Sequence, residues 1–86
     1  MLKDKNLGMI YSARPNVIDD LKQITGVGPV LERRLQSAGI YRFEQVRNWT
    51  ASTIAFLDEE LSLGGRIERE DWVSQAKALT RKKAKQ

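Results

Sequence analysis

The sequence predicts an all-α fold of five short helices. Three observations carry this. Apolar residues recur at spacings of three and four, and glycines and prolines punctuate the chain at helix-length intervals. No stretch alternates apolar and polar residues long enough to make a strand. The 86 residues allow one small domain. They divide into an N-terminal arm (1–15), a helical domain (16–79) and a basic C-terminal tail (80–86).

Residues 1–15 show no sustained periodicity. Met9, Ile10 and Tyr11 can dock on a core, and Pro15 closes the arm because the residue before a proline disfavours helix. Asn16 is the expected cap of the first helix, with Asp19 near its positive end and Ile18, Leu21 and Ile24 along one side. Thr25-Gly26 stops that helix. Gly28-Pro29 starts the next, with glycine at the cap and proline at the first helical position. The second helix, Pro29 to Ala38, buries Leu31, Leu35 and Ala38 and turns Glu32, Arg33 and Gln36 to water. Gly39 ends it. A third helix over Arg42–Asn48 buries Phe43 and Val46. Thr50 caps a fourth over Ala51–Leu61, with Ile54, Leu57 and Leu61 as its stripe and Phe56 beside them, and Leu63-Gly64-Gly65 breaks it. The last helix runs from about Arg69 into the tail, with Trp72, Val73, Ala76 and Leu79 on one face. Glu70 and Asp71 at its start and lysines at its end match the helix dipole.

Composition excludes several chemistries. The chain has no cysteine and no histidine, which removes disulfides, thiol nucleophiles, Cys/His zinc sites and histidine general bases. No apolar run approaches the roughly 18 residues of a membrane helix. The first residues lack the apolar core of a signal peptide, so a cytoplasmic location without a membrane partner is expected. Asp58-Glu59-Glu60 fan out by about 100° per residue on a helix and cannot share a metal, and Asp19-Asp20 fail for the same reason. Gly26-Val27-Gly28 lacks the Gly-Lys-Ser/Thr ending of a phosphate-binding loop, and no strand precedes it. No catalytic residue, cofactor or metal is therefore expected. Trp49, Trp72, Tyr41 and Phe43 offer a base-stacking platform, but their places on apolar stripes make them core residues first, Tyr41 being the most exposed.

The net charge of +4 is uneven. Residues 77–86 hold Lys77, Arg81, Lys82, Lys83 and Lys85 and no acid, which leaves the rest of the chain at −1. Such a tail reads equally as an attractor of polyanions through counterion release and as a solubilising helix end.

The sharpest local signal is the run from Leu21 to Leu35, a tight turn feeding straight into a helix N-terminus. The amides of Gly28, Val30 and Leu31 have no intrahelical partner there, and Pro29 has no amide hydrogen. Glycines let a phosphate approach the backbone, and the helix dipole favours the anion. Val27 plugs into the core and stiffens the turn. This stretch resembles the helix-hairpin-helix motif of DNA repair and replication proteins, a SAM-like bundle with Gly-hydrophobic-Gly between two short helices. The segment from Asp19 to Leu79, with Gly39-Ile40-Tyr41, Trp49 and Gly65 to Trp72, is similar to the small flap-endonuclease-like domain of the helix-3-turn-helix kind. That family occurs alone and appended to ribosomal and respiratory-complex subunits.

The resemblance implies that hairpin amides grip a backbone phosphate without reading bases. Its candidate nucleic-acid-binding residues are Lys22, Gly26, Val27, Gly28, Val30, Leu31, Arg33 and Arg34, joined by Lys82, Lys83 and Lys85 of the tail. Arg33 and Arg34 point about 100° apart, so at most one reaches the phosphate. Two features depart from the family pattern. Val30 stands where many DNA-binding hairpins carry a basic residue, and the second-hairpin position, Leu63-Gly64-Gly65-Arg66, lacks the Gly-hydrophobic-Gly spacing and reads as a degenerate copy or a plain turn. Arg66 and Arg69 are expected to pair with Glu68, Glu70 or Asp71. The function expected from all this is non-enzymatic, sequence-non-specific nucleic-acid binding by a monomer, with DNA ahead of RNA. The alternative is a protein-interaction adaptor without a nucleic-acid role, docking through the acidic Asp58–Glu60 patch.

Overall fold

The structure, a computed structural model, describes residues 2–84. A two-stranded hairpin, β1 (Leu2–Asp4) and β2 (Gly8–Ile10), precedes a single 3-10 turn at Leu21–Gln23. Five α-helices follow: α1 (Pro29–Ser37), α2 (Phe43–Arg47), α3 (Ala51–Glu60), α4 (Arg66–Arg69) and α5 (Trp72–Ala84).

The expected count of five helices holds, but its membership changes. The helix expected after Asn16 does not form; only Leu21–Gln23 coil, and Asp20 caps them, its Oδ1 accepting from the Lys22 amide at 3.2 Å. The cause is the neighbouring Asp19. Its amide donates to Tyr41 O at 3.0 Å, and its buried carboxylate accepts from the Phe43 amide at 2.8 Å and Lys83 Nζ at 2.7 Å. These contacts fix Asp19 against the loop before α2, α2 itself and α5, and the residues just before Leu21 form no helical turn. At the other end, the helix expected from about Arg69 starts at Trp72, and a short helix that the sequence did not indicate, α4, precedes it over Arg66–Arg69. The chain turns at Glu70 and Asp71, the latter at φ 49, between α4 and α5.

The arm is also structured. Leu2 pairs with Ile10 and Lys3 with Met9 in antiparallel register. Asp4 Oδ1 closes the turn by accepting from the amides of Asn6 and Leu7 at 2.8 and 3.0 Å. Strands of three residues are too short to show alternation, which is why the sequence did not reveal them.

The core centres on Trp72, which is fully buried. It shares one buried cluster with Leu21, Ile24, Val27, Leu31, Leu35, Ile40, Phe43, Val46, Leu57 and Ile67, and Trp49 packs beside it with ring centroids 6.4 Å apart. The tryptophans and Phe43 are thus core residues, as expected. Tyr41 is half-buried, edge-on to Tyr11 at 6.1 Å. Glu32 does not simply face water: its Oε2 accepts from the Leu21 amide at 3.0 Å and joins the 3-10 turn to α1.

Gln45 organises the loops around α2. Its side chain is buried, with Nε2 donating to Met9 O and Gly39 O at 2.9 Å each and Oε1 accepting from the amides of Tyr41 and Arg42 at 2.8 and 3.0 Å. The basic end of the chain is helical as far as Ala84, and Lys83 fastens it to Asp19, which also lies 3.7 Å from Arg42 Nε. Lys85 lies outside the described residues.

Replacing Gln45 by leucine keeps the volume and removes every one of these bonds. Buried polar groups left unpaired cost about 1–3 kcal/mol each. Gln45→Leu is therefore expected to remove about 3 kcal/mol or more, most of a small domain's stability, read as a collapse of the urea midpoint with unchanged slope.

Candidate nucleic-acid interface

The turn between the 3-10 segment and α1 is fastened from both sides. The Val27 amide donates to Ile24 O at 3.0 Å, and the Val27 side chain is buried in the core. On the outer side, Gln75 of α5 accepts from the Thr25 amide at 2.8 Å through Oε1 and donates to Thr25 O at 3.3 Å through Nε2. The turn is therefore rigid before any ligand arrives. Among the described residues, the amides of Gly28, Val30 and Leu31 have no protein acceptor, the first helical bond being Glu32 N to Gly28 O at 2.9 Å.

The two glycines of the turn are there for different reasons. Gly26 has φ +103, which favours glycine, and a Cβ placed on it would lie 2.5 Å from Glu70 Oε2 and push that flexible carboxylate aside. Gly28 has φ −96 and ψ −178, which any residue adopts, and nothing lies within 4 Å of the place its Cβ would take. The fold imposes no demand for glycine at 28. A bare backbone there clears the approach to the free amides.

A groove of about 430 Å³ runs between this turn and the one joining α3 to α4, lined by Gly26, Gly28, Val30, Leu31, Arg34 and Arg66 with Pro29 and residues 61–63. The second turn shares this groove with the first. Its Gly64 and Gly65 have φ 62 and 86, and the Gly65 amide is already held by Asp58 Oδ1 at 2.8 Å. That bond explains the carboxylate at the C-terminus of α3, where the helix dipole disfavours it.

The candidate residues separate into two groups. Gly26, Gly28, Val30, Leu31 and Arg34 share the groove. Val27 supports it from beneath, its amide already engaged. Arg33 is exposed on α1 and does not line the groove, so Arg34 is the arginine that reaches it. Lys22 lies 3.7 Å from Asp20 and is also outside it. Lys82 and Lys83 line a separate depression with Asp19, Asp20 and Gln23, and Lys83 is paired with Asp19. Arg66 was expected only as an ion-pair partner. It does pair with Glu70, at 3.5 Å, and it also faces the groove. Arg69 Nη1 donates to Gly64 O at 3.2 Å. Gln75 carried no sequence signal beyond its place beside the apolar stripe of α5. Among the described residues no group of three or more Asp or Glu side chains is placed to hold a metal, and no helix is long and apolar enough to cross a membrane.

Two short coils joined by Gly-Val-Gly-Pro, with free amides at the second coil's N-terminus, define a helix-hairpin-helix domain. The chain belongs to the RS2/RL21/YNQ2 HHH domain family, which it matches over residues 21–80. It is 48% identical over 71 residues to large ribosomal subunit protein bL21 of Jannaschia sp. (strain CCS1), covering 83% of this chain and 28% of that protein. It is 51% identical over 63 residues to bL21 of Roseobacter denitrificans, covering 73% of this chain and 29% of that protein. It is 48% identical over 61 residues to small ribosomal subunit protein uS2 of Methylobacterium nodulans, covering 71% of this chain and 18% of that protein. The chain thus spans less than a third of the length of these relatives. No solved structure matches it.

These relatives correct the functional expectation. They are ribosomal proteins rather than enzymes, DNA-binding proteins or free-standing adaptors. DNA as the favoured partner and the protein adaptor without a nucleic-acid role give way, and the monomeric state gains no support from these relatives. The helix-hairpin-helix part of the resemblance stands, and the flap-endonuclease-like label is replaced by the family above.

The glycine contrast is directly testable. Gly26→Ala is expected to destabilise by about 1–3 kcal/mol through its strained φ and the displaced carboxylate. Gly28→Ala should leave stability within about 0.5 kcal/mol or raise it slightly. Paired urea unfolding curves check both.

Proposed function

We propose that the chain is a ribosome-associated, non-catalytic module that holds ribosomal RNA by its backbone phosphates in the groove between the two turns. The observation that carries this is Gly28, a glycine the fold does not need, at the mouth of a turn whose next free amides belong to Val30 and Leu31. Those amides carry unmatched partial positive charge at the start of α1, the dipole of α1 adds to it, and Arg34 lines the same groove with a full charge. Phosphate is the anion such a cradle suits.

RNA rather than DNA is favoured by the relatives, which are subunits of both ribosomal particles. Backbone recognition suits that role, because A-form RNA is read largely through its shape, phosphates and 2′-hydroxyls. The reading places the chain in the cytoplasm with the ribosome. The rigid turn means that little ordering entropy opposes binding. The cations at the end of α5 add diffuse attraction from a separate place, except Lys83, which is engaged with Asp19.

Gly28→Glu tests the reading. Gly28 is exposed and a Cβ there meets nothing within 4 Å, so the variant should melt with the wild type, while its carboxylate competes for the amides that would hold the phosphate. Cosedimentation with purified ribosomal subunits should fall at least about tenfold, and wild-type association should weaken steeply with salt. Equal cosedimentation of the two proteins would reject the groove as the RNA site.

A further inference from the structure

The groove contains a second charge relation. Arg66 opens α4 and lines the wall opposite the Gly26–Leu31 turn. Its Nε is 3.5 Å from Glu70 Oε1, and the two side chains are 44% and 28% exposed. Charge-assisted N–H···O contacts run at about 2.7–2.9 Å. This pair is loose and half-solvated, the kind that contributes little to stability.

Glu70 is not an arbitrary partner. Its carboxylate lies over Gly26, where a Cβ would meet Oε2 at 2.5 Å and Oε1 at 2.9 Å. Gln75 Nε2 donates to Glu70 O at 2.8 Å as well as to Thr25 O at 3.3 Å, so the backbone of Glu70 is fixed beside the turn. Among the described residues no hydrogen bond joins the carboxylate to the turn's amides. On the other wall, Asp58 already occupies the Gly65 amide. The charged contribution of the second turn to the groove is therefore the Arg66 side chain rather than its backbone.

Resting on the proposed role of the groove as an RNA site, we infer that Glu70 holds Arg66 in reserve, and that an RNA phosphate entering at the Gly26–Gly28 turn takes the guanidinium from Glu70. A guanidinium can grip a phosphate through two parallel N–H···O bonds, which its single loose contact with Glu70 does not provide. Arg66 is then a binding residue. Glu70 is a positioning residue that lowers affinity, since it neutralises Arg66 in the free protein and stands as a like charge beside the bound phosphate. The effect is selectivity. A polyanion that only brushes the surface meets a neutralised arginine, whereas a phosphate seated in the turn recruits it.

The test is a fluorescence-anisotropy titration of a short labelled RNA duplex with the whole chain over a salt series. The proteins are wild type, Arg66→Gln, Glu70→Gln, their double variant, Arg34→Gln and Gly28→Glu, each with a melting curve. Arg66→Gln should weaken binding about three- to tenfold and lower the salt exponent by about one. Glu70→Gln should strengthen it about threefold at low salt, and less in the Arg66→Gln background. If Glu70→Gln melts early, Glu70→Asp, which withdraws the carboxylate by one methylene, should shift affinity in the same direction. Arg66→Gln behaving as wild type while Arg34→Gln weakens binding would leave the RNA groove standing and remove Arg66 from it. Glu70→Gln weakening binding would overturn the reserve role. Absence of RNA binding by the wild type, or binding unaffected in both Arg34→Gln and Gly28→Glu, would reject the RNA reading and the exchange with it.

Discussion

Each α-helix leaves about four amides and four carbonyls without intrahelical partners, and α2 and α4 are only five and four residues long. In so fragmented a bundle, open backbone groups crowd the connections, and the fold depends on side chains that reach across to satisfy them. Gln45 holds Met9, Gly39, Tyr41 and Arg42 together. Asp19 takes the Phe43 amide, Asp58 the Gly65 amide and Gln75 both backbone groups of Thr25. The apolar core around Trp72 supplies most of the cohesion, but these polar contacts determine which loops lie where.

The groove follows from the same constraint. With Thr25 fastened outside and Val27 buried beneath, the amides that the helix start cannot use stay open among the described residues. The opposing turn is satisfied by Asp58 and presents Arg66 instead. The two turns are therefore unequal partners: one brings backbone dipoles and the other a mobile charge.

Much of this was legible in the sequence, and the boundary has a physical meaning. Thr50 as a cap, Gly28-Pro29 as a start signal and the stripes of α1, α3 and α5 act within a few residues, so they can be read locally. The Gly-Val-Gly-Pro turn and its free amides were legible for the same reason. The failures are long-range. Asn16 looks like a cap until Asp19 is seen bonded to Tyr41, Phe43 and Lys83. The arm looks unstructured until Gln45 is seen holding Met9 O. Arg66 reads as a helix-surface ion pair because its sequence neighbours Glu68, Glu70 and Asp71 are acids, whereas its share in a groove with the Gly26–Leu31 turn is a long-range relation.

The contact between Lys83 and Asp19 has a consequence beyond stability. It brings together two points that stand just outside either end of the family-matched region, residues 21–80. The module therefore enters and leaves the fold at one place, like a cassette clipped to a single post. A unit closed in this way imposes no span on the polypeptide that carries it, and its own folding does not require the host to bridge a distance. Sequences like this one make up 28% of one ribosomal protein and 18% of another, and a self-closed unit of this kind is geometrically suited to being carried by more than one host.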